Sequence, residues 1–246
     1  AIYGADDGRG KITLQSPAPD QDFAGLDADL GQALGCDVDM QLKDTHAVLS
    51  VPAERLAEAR AKLAELRPDA RVMSAGEAIE IYKEVGLPKD VAARFDLSGM
   101  SGSHGIGHTR MATESAVTTL GAHPYSTGAD QCLVHNGSLS NHNSLRRRLV
   151  RDGMTFETEN DTEVAAAYLS NKLQHGSNLG EALEASLNDL DGFFTFVVGT
   201  KDGFGVVRDP IACKPAVMAE TDQYVAFGSE YRALVTLPGI DNARVW

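Results

Sequence analysis

Four groups with chemistry in them stand between apolar segments in the middle of this chain: the guanidinium of Arg110, the side-chain amide of Asn136, the backbone amide of Gly137 and the carboxylate of Asp161. An arginine presents a planar fork that grips a carboxylate through two parallel hydrogen bonds and fixes its orientation better than a lysine would. Asn136 and Gly137 place a side-chain N–H beside an unobstructed backbone N–H, the pair of donors an acyl-transfer oxyanion needs, and a glycine lets a ligand come close to its backbone. Asp161 lies at the start of a predicted helix, where the dipole favours a carboxylate that can also hold an ammonium group. Together these groups suit a small zwitterion and an oxyanion formed from it.

The runs that carry them are His108-Thr109-Arg110-Met111-Ala112-Thr113, Ala122-His123-Pro124, His135-Asn136-Gly137 and Asp161-Thr162-Glu163, in that order. They resemble the glutaminase domain of class II glutamine amidotransferases, which are N-terminal-nucleophile hydrolases. Arg208-Asp209-Pro210 with Lys214-Pro215, and Ser229-Glu230 with Ala233-Leu234, resemble later signatures of the same domain. Several ordered motifs are more specific than any one alone. The resemblance implies an αββα sandwich of two antiparallel sheets. It also implies an oxyanion hole at Asn136 and Gly137, carboxylate binding by Arg110, ammonium binding by Asp161, and a pocket lined by Thr113 and His123. The family's nucleophile is an N-terminal cysteine whose own amine is the base, whereas this chain opens Ala1-Ile2-Tyr3-Gly4. The expectation is that the nucleophile strand lies upstream of residue 1, and that the chain as it stands binds glutamine without hydrolysing it.

Composition sets the outer limits. With 246 residues and 43% hydrophobic content, the chain has enough apolar surface for one large core, or a domain plus an insertion. The net charge of −13, from 35 acidic and 22 basic residues, argues against nucleic acid and anionic membranes as partners. Three widely spaced cysteines, Cys36, Cys132 and Cys213, indicate neither a disulfide framework nor a CxxC metal site and fit a reducing cytoplasm. Cys132 precedes Leu133-Val134 in an apolar pattern and reads as a core residue. Five histidines, 104, 108, 123, 135 and 142, invite a metal, but no acidic residue completes a zinc-type pattern, and the expectation is that this chain holds no metal.

The positioning elements follow from periodicity. Residues 1–3 and 11–15 read as a hairpin around the Asp6-Asp7-Gly8-Arg9-Gly10 turn, and 20–34 as loop with some helix. Between 45 and 96, strands at 46–51 and 70–73 flank a helix at 53–66, a βαβ-like insertion within a domain spanning 1–246. Ser74 and Glu77 form a capping-box pattern for a helix over 78–85, and Pro88 opens a short helix toward Phe95. A short strand, 133–135, ends at the oxyanion turn, and helices are predicted over 143–152, over 162–173 with Asn160 and Glu163 as a capping box, and from Asn178, capped with Glu181, to Leu190. Two hairpins, 193–207 and 215–227, suit one layer of a sandwich.

The resemblance also suggests how the domain is used. Stand-alone units with Arg110-Met111-Ala112-Thr113-Glu114-Ser115 and a long insertion look like the amidotransferase subunit of glutamate synthase-like and N-methylglutamate synthase-like complexes. That implies L-glutamine as ligand, a hetero-oligomer, and flavin and iron–sulfur centres in a partner rather than cofactors in this chain. Two other readings stay open: a non-catalytic amidotransferase-like scaffold, and a metal-dependent hydrolase built on the histidines.

Overall fold

The computed structural model describes residues 1–5, 7–110 and 117–245. The chain runs through β1 (Ile2–Tyr3), β2 (Arg9–Gln15), α1 (Pro19–Asp22), α2 (Leu26–Leu34), β3 (Asp39–Lys43), β4 (His46–Pro52), α3 (Leu56–Leu66) and β5 (Arg71–Gly76). The middle holds β6 (Ile79–Glu80), α4 (Pro88–Arg94), β7 (His104–Gly105), β8 (Tyr125–Gly128) and β9 (Gln131–Leu139). Then come α5 (His142–Arg151), α6 (Asp161–Gln174), α7 (Leu179–Asp189), β10 (Gly192–Thr200), β11 (Gly203–Arg208), β12 (Val217–Glu220), β13 (Val225–Gly228) and β14 (Arg244–Val245).

The central sheet has the order β11-β10-β9-β8, all antiparallel. Alternation along β9 and β10 gives it two apolar faces. Leu133, Leu139, Phe194, Phe196 and Val198 pack against α5, α6 and α7, where α6 is buried over Thr162–Ser170. On the opposite face Cys132, Val134 and Val197 pack against Tyr3, Ile79, Ile81 and Ile106 of the small sheet β6-β1-β7 and its flanks. A helix layer, the central sheet and a second sheet are thus stacked in that order.

Residues 9–76 make a separate layer pair. Their sheet has the order β3-β4-β2-β5, and α2 and α3 cover one face through Leu26, Leu30, Leu34, Ala59 and Leu63. The connectivity β-α-β-β-α-β with β2 between β4 and β5 is a split βαβ, the ferredoxin-like plait. The expected βαβ unit is therefore divided by a strand from before residue 45: β4 and β5 both pair antiparallel with β2 and never with each other.

Three further expectations change. The 1–15 hairpin does not form, because β1 is paired on both edges by β6 and β7. Tyr3 is fully buried against the central sheet, with its hydroxyl donating to the Asp130 carbonyl. The 78–85 helix is absent because the Asp130 carboxylate takes the N–H groups of Glu77, Ala78 and Ile79, and Ile79 joins β1. With Asp130 N–H donating to the Ala75 carbonyl, this residue fastens the plait to the central sheet. The last two hairpins sit in different sheets, since β12 pairs with β13 and β14 rather than with β11.

Candidate active site

The site is built where β9 meets the start of α6. Strand β9 runs to Leu139 rather than stopping at His135, so Asn136 and Gly137 lie inside a strand, opposite Thr195 and Phe194. Gly137 has φ +150°, and a Cβ there would stand 2.0 Å from the Phe193 carbonyl oxygen. The glycine is thus required by the close approach of β10 itself.

Backbone direction alternates along an antiparallel pair, and here it can be followed residue by residue. Phe194 turns both its groups toward Asp209: its N–H donates to Asp209 Oδ1 and its carbonyl accepts from Asp209 N–H. Its partner Gly137 therefore directs its N–H away from β10, to the far edge of β9. Pairing with β8 on that edge reaches only Leu133, so beyond it no strand among the described residues covers β9. Leu139, two residues on, points its N–H the same way and donates to Asp161 Oδ2 at 2.9 Å. The backbone amide of Gly137 and the carboxylate of Asp161 share one open strand edge.

Asp161 is the first residue of α6, and the turn before it is held by its neighbours. Asn160 Oδ1 accepts from Thr162 N–H as the N-cap. The expected reciprocal half of the capping box is absent: Glu163 is buried and accepts instead from the N–H groups of Glu157 and Thr158 and from the Thr158 hydroxyl. Arg146 donates to the Thr158 carbonyl at 2.7 Å and lies over the Phe156 ring, 4.6 Å from its centroid.

Behind the edge, three of the five histidines gather around one hydroxyl. His108 Nε2 lies 3.2 Å from His123 Nδ1, His123 Nε2 lies 2.9 Å from Thr162 Oγ1, and His135 Nδ1 lies 3.2 Å from the same oxygen. Asp161 Oδ1 is 3.4 Å from Thr162 Oγ1 and 3.8 Å from His135 Nδ1. Burial, reinforced by the neighbouring cations and histidines, brings His123 down to about 2. His135 falls to about 4 for the same first reason, with Asp161 opposing, and burial and Arg110 lower His108. All three are neutral at pH 7. Of the other two, His104 stacks on Tyr3 with ring centroids 4.2 Å apart, and His142 contacts the Leu139 carbonyl. Among the described residues no group of three or more His, Cys, Asp or Glu side chains could hold a metal ion.

Of the residues expected from the sequence, Gly137, His123 and Asp161 converge here, and Asn136 precedes Gly137 on β9. Arg110 is exposed and on the same side, since its charge is felt at both His108 and His123. Thr113 lies outside the described residues. Two participants were missed. Thr162 was legible only as the middle of Asp161-Thr162-Glu163. Lys83 had no local signal: it is buried, its ammonium donates to the Ala122 carbonyl at 3.0 Å just before His123, and it sits 4.9 Å from the Tyr125 ring. Burial lowers its pKa to about 8. Cys132, by contrast, is a core residue with Tyr3 above it, and burial raises its thiol.

Comparison with known proteins places this geometry. Residues 108–236 match the model of the glutamine amidotransferase domain. The chain is 70% identical over 247 residues to the glutamine amidotransferase-like protein GlxB of Rhizobium meliloti, covering all of this chain and 82% of that protein. It is 33% identical over 167 residues to the amidophosphoribosyltransferase of Methanocaldococcus jannaschii, covering 67% of this chain and 36% of that one. A solved structure described as the allosteric regulatory enzyme of purine biosynthesis superposes with a TM-score of 0.53 at 20% identity, over 96% of this chain and 44% of that chain. The fold is accordingly the mixed α/β arrangement of antiparallel sheets expected of an N-terminal-nucleophile hydrolase. On the matched domain and its 70% identical relative, the chain belongs to the glutamine amidotransferase family.

Proposed function

We propose that this chain is the glutaminase unit of a class II amidotransferase, releasing ammonia from L-glutamine for a separate synthase subunit. The observation that carries the reading is the open edge of β9, where the Gly137 N–H and the Asp161 carboxylate face the same space two residues apart in register. In this reading Asn136 and Gly137 donate to the oxyanion of the tetrahedral intermediate. Asp161 holds the ammonium of glutamine through the oxygen not committed to Leu139, Arg110 binds its carboxylate, and His123 and Thr113 line the pocket. In this reading a cysteine thiolate serves as nucleophile, splitting amide cleavage into two easier steps.

The partner follows from the family resemblance: a glutamate synthase-like or N-methylglutamate synthase-like subunit with flavin and iron–sulfur centres, joined to this chain in a cytoplasmic hetero-oligomer. Among the described residues no helix is long and apolar enough to cross a membrane.

The test is glutamine turnover by the full gene product and its Asn136→Ala variant. Loss of one oxyanion donor lowers kcat by roughly 10²–10³-fold. Near-normal turnover by the variant would remove Asn136 from the mechanism. Glutamine binding without turnover by the full gene product would leave the second reading, an amidotransferase-like binding or scaffolding subunit.

A further inference from the structure

Asp161 owes its place to the turn before it, and that turn is gripped from two sides. Its N–H groups go to an anion. The buried Glu163 carboxylate accepts from the N–H of Glu157 and of Thr158, both at 2.8 Å, and from the Thr158 hydroxyl at 2.6 Å. Its carbonyls go to a cation. Arg146 of α5 donates from Nη1 to the Thr158 carbonyl at 2.7 Å and from Nη2 to the Asn160 carbonyl at 3.4 Å. The same guanidinium lies over the Phe156 ring, 4.6 Å from its centroid. Its Nε is buried with no hydrogen-bond partner among the described residues, so the two terminal nitrogens and the ring contact hold it. Of three consecutive arginines, Arg147 and Arg148 are exposed and Arg146 alone is half-buried.

We propose that Arg146 is the positioning residue for Asp161, and so sets how tightly the site holds the ammonium group of its substrate. The placement stands on geometry, while the effect on substrate rests on the glutaminase reading. Asn160, whose carbonyl Arg146 takes, is both the N-cap of α6 and the residue before Asp161. From the other side Asp161 is tied to the end of β9, where the Leu139 N–H lies 2.9 Å from Oδ2. The path from β9 through α5 and the turn to α6 therefore doubles back on itself with two cross-ties. One runs from Arg146 to the carbonyls before Asp161, the other from Asp161 to the strand edge. Without the first, the start of α6 loses its fix on α5, and the carboxylate shifts from the edge it shares with the Gly137 N–H. A cation beside a helix N-terminus is opposed by the dipole, so the stability of α6 gives no reason for an arginine there. The carbonyls that lead into Asp161 do. Lysine is no substitute, since one compact ammonium on a flexible stem lacks the rigid fork that serves two carbonyls and a ring together.

The test compares the full-length protein with Arg146→Met, Arg146→Lys and, as an exposed control, Arg147→Met. Two substrates are used: glutamine, and glutaramate, which is glutamine without its α-amine. Arg146→Met should raise KM for glutamine about tenfold with kcat within about twofold, the signature of binding lost equally from ground and transition states. Its kcat/KM for glutaramate should stay within about twofold of the unaltered value, because Asp161 has no ammonium to hold there. Arg147→Met should change neither. Equal losses on the two substrates would reduce Arg146 to general support of the fold and overturn the proposal, as would an unchanged KM for glutamine. Hydrogen exchange at the Leu139 amide reads the placement without any substrate. In Arg146→Met it should rise about tenfold while the amides of α3 keep their rates, since the Asp161 acceptor has moved. An unchanged Leu139 rate would overturn the positioning role. Should Arg146→Met not fold, Arg146→Lys decides both readouts, with a rise of about threefold expected in each, and values equal to those of the unaltered protein would overturn the need for the fork. Absence of glutamine turnover in the unaltered protein would instead defeat the glutaminase reading and leave the exchange result to decide the placement.

Discussion

The plait and the β9–α6 edge use their polar residues in opposite ways. In the plait, charges lie outside an apolar core, in pairs such as Arg9–Asp39, Lys62–Glu65 and Arg67–Asp29, each with at least one partner well exposed. Exposed pairs of this kind contribute little, because water and salt screen them and two long side chains must be ordered. At the β9–α6 edge the polar groups are buried or half-buried, largely uncharged or backbone-directed, and bonded to one another across three chain segments. There water is largely excluded, so losing a partner costs a group more of its desolvation than at the open surface. The lesson is that a chain carrying a net charge of −13 still builds its candidate site from neutral histidines, one hydroxyl and two anchored carboxylates.

Substitutions should separate the two regions in order of size. Gly137→Ala should have the largest effect, destabilising by about 4 kcal/mol or more, since its Cβ meets the Phe193 carbonyl at 2.0 Å and φ is +150°. Chemical denaturation would measure it, and a loss below about 1 kcal/mol would show that β10 can retreat. Asp130→Ala comes next, at about 3 kcal/mol, because three backbone N–H groups at the plait's junction lose their acceptor. If its melting transition is as high as that of the unaltered protein, the junction is not held as described.

Acid sharpens the contrast. His123 and His135 at the site, and His46 of β4, packed against Tyr82 and Phe95, are held well below 6.5 by burial: to about 2, about 4 and about 4. Between these values and 6.5 the unfolded chain binds more protons than the folded one, so stability rises with pH there and is lost as pH falls through 6.5. From pH 7 to 6 the three histidines together should cost about 2 kcal/mol. Denaturation at the two pH values measures this, and a flat profile would mean that the imidazoles are hydrated. The smallest effect is expected of Lys62→Ala, which removes an exposed pair from α3 and should leave the melting temperature unchanged within error.

How much of this was readable beforehand differs by scale. Individual elements were legible wherever the apolar period was clean: β4, α3, α6 and the two late hairpins fall within a few residues of their predicted bounds. The capping box at Asn178 and Glu181 is formed as expected, whereas the same pattern at Ser74 and Glu77 yields no helix. The difference lies in Asp130, more than fifty residues away, which takes the N–H groups that a helix start would have offered. Local propensity decided the first case and a distant carboxylate the second. Likewise the motif residues were visible as residues, but not Lys83, whose importance comes only from its burial beneath the His123 turn.

By itself, the sequence determined the residue inventory of the site, the family to which its ordered motifs belong, and the helices and strands whose apolar period is their own. Those depend on neighbours a few positions apart, and short-range sterics and burial patterns are written locally. Tertiary structure alone decided that β2 lies between β4 and β5, that β1 serves the central sheet, and which edge the Gly137 N–H faces. It also gathered three histidines around Thr162. Strand partners and hydrogen directions depend on what lies across a 5 Å gap rather than along the chain, and only the packed molecule supplies it.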